Sequence, residues 1–170
     1  MSLLSRLNQV GILEDDSEDV RLQKNMLVHS SLMMATAAIL WGFVYIRFDE
    51  PMAGAIPLGY AVASYVSLFL FAKLRRYHLF RTSQSLFGAF LPFLLAITLG
   101  GFIPSSGVIM CSIVAPLTSL LYADRRQALL WMIAVVLMIV TAALLESVGW
   151  VGGSNLPGWL VQIFFVMNMI

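Results

Sequence analysis

Lys24 and Arg47 are separated by 22 residues without a charged side chain, and gaps of this kind recur along the whole chain. Residues 51–72 form a second gap of 22, residues 82–123 one of 42, residues 127–145 one of 19, and residues 147–170 one of 24. About 20 apolar residues in helical form cross the roughly 30 Å of bilayer hydrocarbon. Backbone groups in lipid must be satisfied within their own segment, which selects helices. The runs lack the alternating polar pattern of a membrane barrel. Only 11% of the 170 residues are charged, against about a quarter in a soluble domain. So few charges cannot cover a water-exposed surface. The expected fold class is all-α, a polytopic transmembrane helix bundle.

The run of 42 must contain two crossings. Its dense cluster of turn residues is Gly100, Gly101, Pro104, Ser105, Ser106 and Gly107, which marks a loop. The expected spans are then about 25–46, 52–72, 83–103, 107–123, 127–145 and 158–170, preceded by a cytoplasmic tail and linker helix over 1–24. Basic residues in short loops mark the cytoplasmic side. Arg6, Arg21 and Lys24, then Lys73, Arg75, Arg76 and Arg81, then Arg125 and Arg126 share one side if every gap is one crossing. They are nine of the ten basic residues, and Arg47 alone lies opposite, beside Asp49 and Glu50. This places the N-terminus in the cytoplasm. The last run, from Gly158, has 13 residues, or about 20 Å of helix. It falls short of a crossing and has no charged stop. The sequence is therefore expected to be a piece of a longer chain that continues through the membrane into a cytoplasmic domain.

The tail is not a cleavable signal, because Glu14, Asp15, Asp16, Glu18 and Asp19 stand where basic residues would precede an apolar core. Leu3, Leu4, Leu7 and Val10 have helical spacing and suit either the membrane surface or a partner. Ser17, followed by Glu18 and Asp19, reads as a helix start. That helix runs directly into the first span.

No Asp, Glu, Lys or Arg falls within an expected span, which disfavours a proton-coupled transporter or pump. Pro57, Pro92 and Pro116 lie inside spans and are expected to kink them. Ala55, Gly59, Ala63 and Ser67 recur every four residues on the second span, a candidate packing seam within the chain or across a homodimer. Ala38 and Gly42 form a weaker pair on the first. Trp41, Tyr45, Phe102, Ser105, Ser106, Trp150 and Trp159 fall at the outer face. They read either as interfacial anchors or, for Trp41, Tyr45, Phe102, Ser105, Ser106 and Trp150, as a pocket for a small lipophilic ligand. Cys111 reads as a small buried hydrophobe. His29 and His78 fall on one side without metal spacing, and no catalytic, cofactor, metal or nucleic-acid motif is legible.

Two groups of residues carry a family resemblance. The first is Leu99-Gly100-Gly101-Phe102-Ile103-Pro104-Ser105-Ser106-Gly107-Val108-Ile109, followed by Ala115-Pro116-Leu117 and Asp124-Arg125-Arg126. The second is Asp16-Ser17-Glu18 with Arg21-Leu22-Gln23-Lys24, leading to Leu40-Trp41-Gly42. Together they resemble the six-helix N-terminal membrane region of bacterial class III adenylate or guanylate cyclases. The resemblance implies a membrane anchor, dimerising and sensory module. It also implies a C-terminal cytoplasmic cyclase domain, outside this sequence, that makes cyclic AMP or GMP with two divalent metal ions. None of the family's catalytic residues has a counterpart here. Two other readings stay open at this point. One is the sensory region of a histidine kinase or diguanylate cyclase, and the other is a small facilitator or channel.

Overall fold

The computed structural model describes residues 16–122 and 125–169; the amphipathic stretch of Leu3, Leu4, Leu7 and Val10 lies outside them. The described residues form six α-helices and one 3-10 helix. These are α1 (Glu18–Arg47), α2 (Pro51–Leu74), α3 (Tyr77–Thr98), the 3-10 helix (Val108–Ile113), α4 (Val114–Tyr122), α5 (Arg125–Ser147) and α6 (Gly158–Met169). Four of them, α1, α2, α3 and α5, are long and apolar enough to cross a membrane. α1 starts at the Ser17 cap, whose Oγ accepts from the Val20 N–H at 3.4 Å, with Glu18 and Asp19 in its first turn. It continues without a break into the apolar stretch, as a single helix of 30 residues.

Two expected spans take a different form. The segment after Gly107 is not one α-helix over 107–123 but a 3-10 helix of six residues followed by the nine of α4. Pro116 supplies the reason. It has no N–H to give to the carbonyl four residues back, and its ring crowds that carbonyl. It therefore sits in the first turn of α4, where the N–H would be unpaired anyway, and the residues before it tighten into 3-10 geometry. The Ser112 hydroxyl turns aside to donate to the Ala89 carbonyl at 2.9 Å. α6 has 12 residues, below spanning length. The third helix also starts earlier than position 83, at Tyr77, and ends at Thr98 rather than 103.

α3 is the hub of the bundle, packing on α1, α2, the 3-10 helix, α4 and α5. What is buried is mostly small: Ala53, Ala61, Ala89, Ala96, Ala115 and Ala142 are at most 2% exposed. What is exposed is large and apolar, for example Leu40, Phe43, Phe69, Leu129 and Leu137, each more than 60% exposed. Small residues inside let helix backbones approach closely, the way helices associate in lipid. Large apolar groups outside suit a hydrocarbon solvent. The closest approach joins α1 to α2. A Cβ on Gly42 would stand 2.5 Å from Leu58 Cγ and 3.0 Å from the Gly54 carbonyl, and one on Gly54 would stand 2.7 Å from the Gly42 carbonyl.

The two ends of the bundle differ. At one end the loops after α1, α3 and α5 converge, and residues from all three of these helices, α2, the 3-10 helix and α6 share one apolar cluster around Tyr45, Leu99, Ile109 and Phe164. At the other end Leu27, Val28, Phe71 and Phe80 pack together, and the basic residues gather. Lys24 pairs with Asp16 at 2.6 Å, and Arg81 donates to Gln127 at 3.1 Å. Among the described residues the division of cations is eight to one between the two ends of the fold, with Arg47 closing α1 at the opposite end.

Candidate functional site

The turn over 99–107 is shaped by four residues in the left-handed region: Gly100 (φ 95°), Gly101 (φ 103°), Ser106 (φ 61°) and Gly107 (φ 63°). Glycine takes this conformation without a Cβ penalty, so the α3 helix closes where Gly100 and Gly101 stand. The Gly101 N–H reaches back to the Ala96 carbonyl at 2.8 Å, the six-to-one bond of a left-handed helix stop. Ser106 repeats the device, with the Gly107 N–H on the Phe102 carbonyl at 2.8 Å. Two further contacts fix the turn from outside. Glu146, in the last turn of α5, accepts from the Phe102 N–H at 3.1 Å and fills the space that a Cβ on Gly101 would need. The Gly152 N–H donates to the Ile97 carbonyl at 2.8 Å, and a Cβ on Gly152 would collide with the Thr98 carbonyl.

Between this turn and α6 lies an apolar groove of about 470 Å³. Phe102, Ile103 and Ser106 line one wall, and Val161, Gln162 and Phe165 the other. Ser106 is 2% exposed, and its Oγ has no hydrogen-bond partner. A buried hydroxyl left unpaired costs about 1–3 kcal/mol. The walls of the groove are apolar, and the unpaired Ser106 hydroxyl is buried beneath them rather than presented to its interior. Its α6 wall is tied to the turn, since Asn168 Nδ2 donates to the Ser106 carbonyl at 3.1 Å. On its other side α6 packs on α1, where Phe164 stacks on Trp41 at 5.6 Å and meets Tyr45 edge-on at 5.5 Å.

Of the six pocket residues read from the sequence, the structure brings Phe102 and Ser106 to the groove. Ser105 is buried behind them, its Oγ donating to the Phe102 carbonyl at 3.3 Å. Trp41 and Tyr45 line no part of the groove but support α6. Trp150 is 78% exposed and does not line it. Trp159 packs edge-on against Phe48 at 5.8 Å. The residues missed by sequence reading are Val161, Gln162 and Phe165, on a helix read only as a short last span, and Glu146, seen only as a boundary between spans.

The four small residues of the second span also separate. Ala55 and Gly59 are exposed, and a Cβ on Gly59 would meet nothing within 4 Å. Ala63 and Ser67 are half-buried toward α3, where the Ser67 and Ser83 hydroxyls share a hydrogen bond of 2.7 Å. Steps of four residues advance about 40° around a helix of 3.6 residues per turn, so the stripe turns by roughly 120° from first to last. The α2 residues buried inside the chain are Ala53, Gly54, Pro57, Ala61, Ser64 and Phe71.

His29 Nδ1 lies 2.8 Å from the Asn25 carbonyl and His78 is exposed. Cys111 is half-buried, with its Sγ 3.8 Å from the Asn168 carbonyl. Among the described residues no three His, Cys, Asp or Glu side chains gather as a metal-binding group. No protein-family model, curated protein or solved structure matches the chain.

Proposed function

We propose that the chain is the membrane module of a nucleotide cyclase. It lies in a bacterial inner membrane with its N-terminus and its basic loops in the cytoplasm. The crossings are α1, α2, α3, the 3-10 helix with α4, and α5, and α6 begins a sixth. The module anchors the enzyme, dimerises through the exposed Ala55 and Gly59 face of α2, and biases the output of a cytoplasmic cyclase domain that follows α6. The sequence resemblance and the gathering of cations at one end support this reading.

The observation that carries the sensory part is the position of α6. One face of this helix walls the groove and the opposite face stacks on α1 through Phe164. A small lipophilic ligand seated between these apolar walls would press directly on the helix leading to the output domain. A ligand shifts an equilibrium only by binding two arrangements unequally. In this reading the two walls, which belong to separate elements, stand at different separations in the two arrangements, and the ligand favours one of them.

The test is a cyclase assay on the full-length protein in membranes. Phe102→Ala, Ser106→Ala and Phe165→Ala are expected to change basal or effector-stimulated output several-fold. Leu129→Ala, on the exposed face of α5, is expected to change neither. Wild-type output across the groove series at normal expression would reduce the module to an anchor. A parent protein without cyclic nucleotide synthesis would overturn the assignment itself.

A further inference from the structure

A second groove opens near the basic end, between α2 and α3, with a volume of about 390 Å³. Ala63, Ser67 and Leu70 of α2 face Leu79, Ser83 and Phe87 of α3, and Arg76 lines the end where the helices join. Small side chains at 63 and 67 leave the space. The two lining hydroxyls answer each other at 2.7 Å, and Ser83 also donates to the Phe80 carbonyl at 2.8 Å. The groove therefore makes no polar demand on its contents along its length. From Arg76 to Phe87 the helix advances eleven residues, about 16 Å, which is roughly half of the ~30 Å hydrocarbon layer. The groove is one leaflet deep.

Its charge lies at the membrane-surface end. Lys73, Arg75 and Arg76 are all exposed there. Residues 51–123 contain no carboxylate to neutralise them. Arg75 stands in the left-handed region (φ 55°), its N–H bonded to the Phe71 carbonyl at 2.8 Å. This abrupt stop to α2 leaves two consecutive arginines at the helix junction. Guanidinium groups bind phosphate through paired, charge-assisted hydrogen bonds, and basic pockets between membrane helices recognise anionic headgroups.

We propose that this groove binds one anionic phospholipid, with an acyl chain between α2 and α3 and the headgroup phosphate on Arg75 and Arg76. The site needs only the bilayer placement of the helices and is independent of any cyclase output.

The experiment is native mass spectrometry of the full chain in detergent micelles with equal amounts of phosphatidylglycerol and phosphatidylcholine. Phosphatidylglycerol adducts should dominate. Arg76→Gln should lower their retention about fivefold, and Arg75→Gln with Arg76→Gln about twenty-fivefold, given the effect of one surface cation on an anionic lipid. Ala63→Phe, which fills the groove, should reduce retention of both lipids. Arg126→Gln, in the other basic loop, should leave retention unchanged, and excess glycerol phosphate should not displace the lipid. Equal retention of the two lipids would overturn the proposal. So would a loss with Arg126→Gln as large as with Arg76→Gln, an adduct undiminished by Ala63→Phe, or displacement by glycerol phosphate alone. Arg76 is exposed, and unchanged melting of its variant would separate lost binding from lost fold.

Discussion

The two ends of this bundle solve one problem in different ways. Every helix end leaves backbone groups without partners. At the apolar end the chain answers with its own backbone: Asp49, Gly100, Ser106 and Gly149 all take positive φ, and each is followed by an N–H that reaches back to a carbonyl five residues earlier. The carboxylates there serve the same purpose, Glu146 accepting from the Phe102 N–H and Glu50 from the Asn155 N–H. At the basic end side chains do more of the joining. Lys24 and Arg81 both lie over the Tyr77 ring, at 5.8 Å and 5.7 Å, and that ring packs against Phe71, whose own ring stacks on Phe80 at 4.8 Å. The comparison teaches that both ends use aromatic packing, but the apolar end closes four turns with positive-φ main chain where the basic end does so once, at Arg75, and adds cations instead.

The contrast breaks first, and most severely, at Gly101. Gly101→Val forces a branched side chain into φ 103° and into the Glu146 carboxylate. We expect a loss of about 3 kcal/mol, seen as a lower melting temperature in detergent and insensitive to salt. At the basic end Tyr77→Leu should cost about 1 kcal/mol, and the loss should shrink as salt rises. A Tyr77→Leu effect equal to that of Gly101→Val would erase the distinction between the ends. The smallest effect is expected at Gly59, between them on the exposed face of α2. Gly59→Leu should change melting by less than about 0.5 kcal/mol while reducing chemical crosslinks between copies. Undiminished crosslinks would remove that face from the proposed dimer contact.

The sequence made the helices legible because charge gaps measure hydrocarbon thickness directly. A break after α3 was legible as a cluster of turn residues, but its position was not, since the expected span to 103 runs past Gly100 and Gly101, whose left-handed stop ends the helix at Thr98. Ser17 was readable for a similar local reason. Other features escaped because they join distant residues or use residues without a positional signature. Asp49 and Ser106 take positive φ without being glycine. Glu146 lies 44 positions from the Phe102 N–H that it holds. The small-residue stripe on α2 was visible as a spacing, but a spacing of four turns gradually around the helix, so its two halves face different surroundings. Pro116 read as a kink within one helix, yet it marks the join between two helical forms. The groove mixes both cases: Phe102 and Ser106 stood in a conspicuous turn, while Gln162 and Phe165 belong to an apolar helix whose facing depends on the whole bundle.

A rim fastened by its own backbone leaves its outward side chains uncommitted. Ile103 is 82% exposed and Trp150 78%, and neither side chain supplies a bond that closes a turn. Such positions can be exchanged without loosening the scaffold beneath them, so this rim tolerates new side chains where the glycines under it do not.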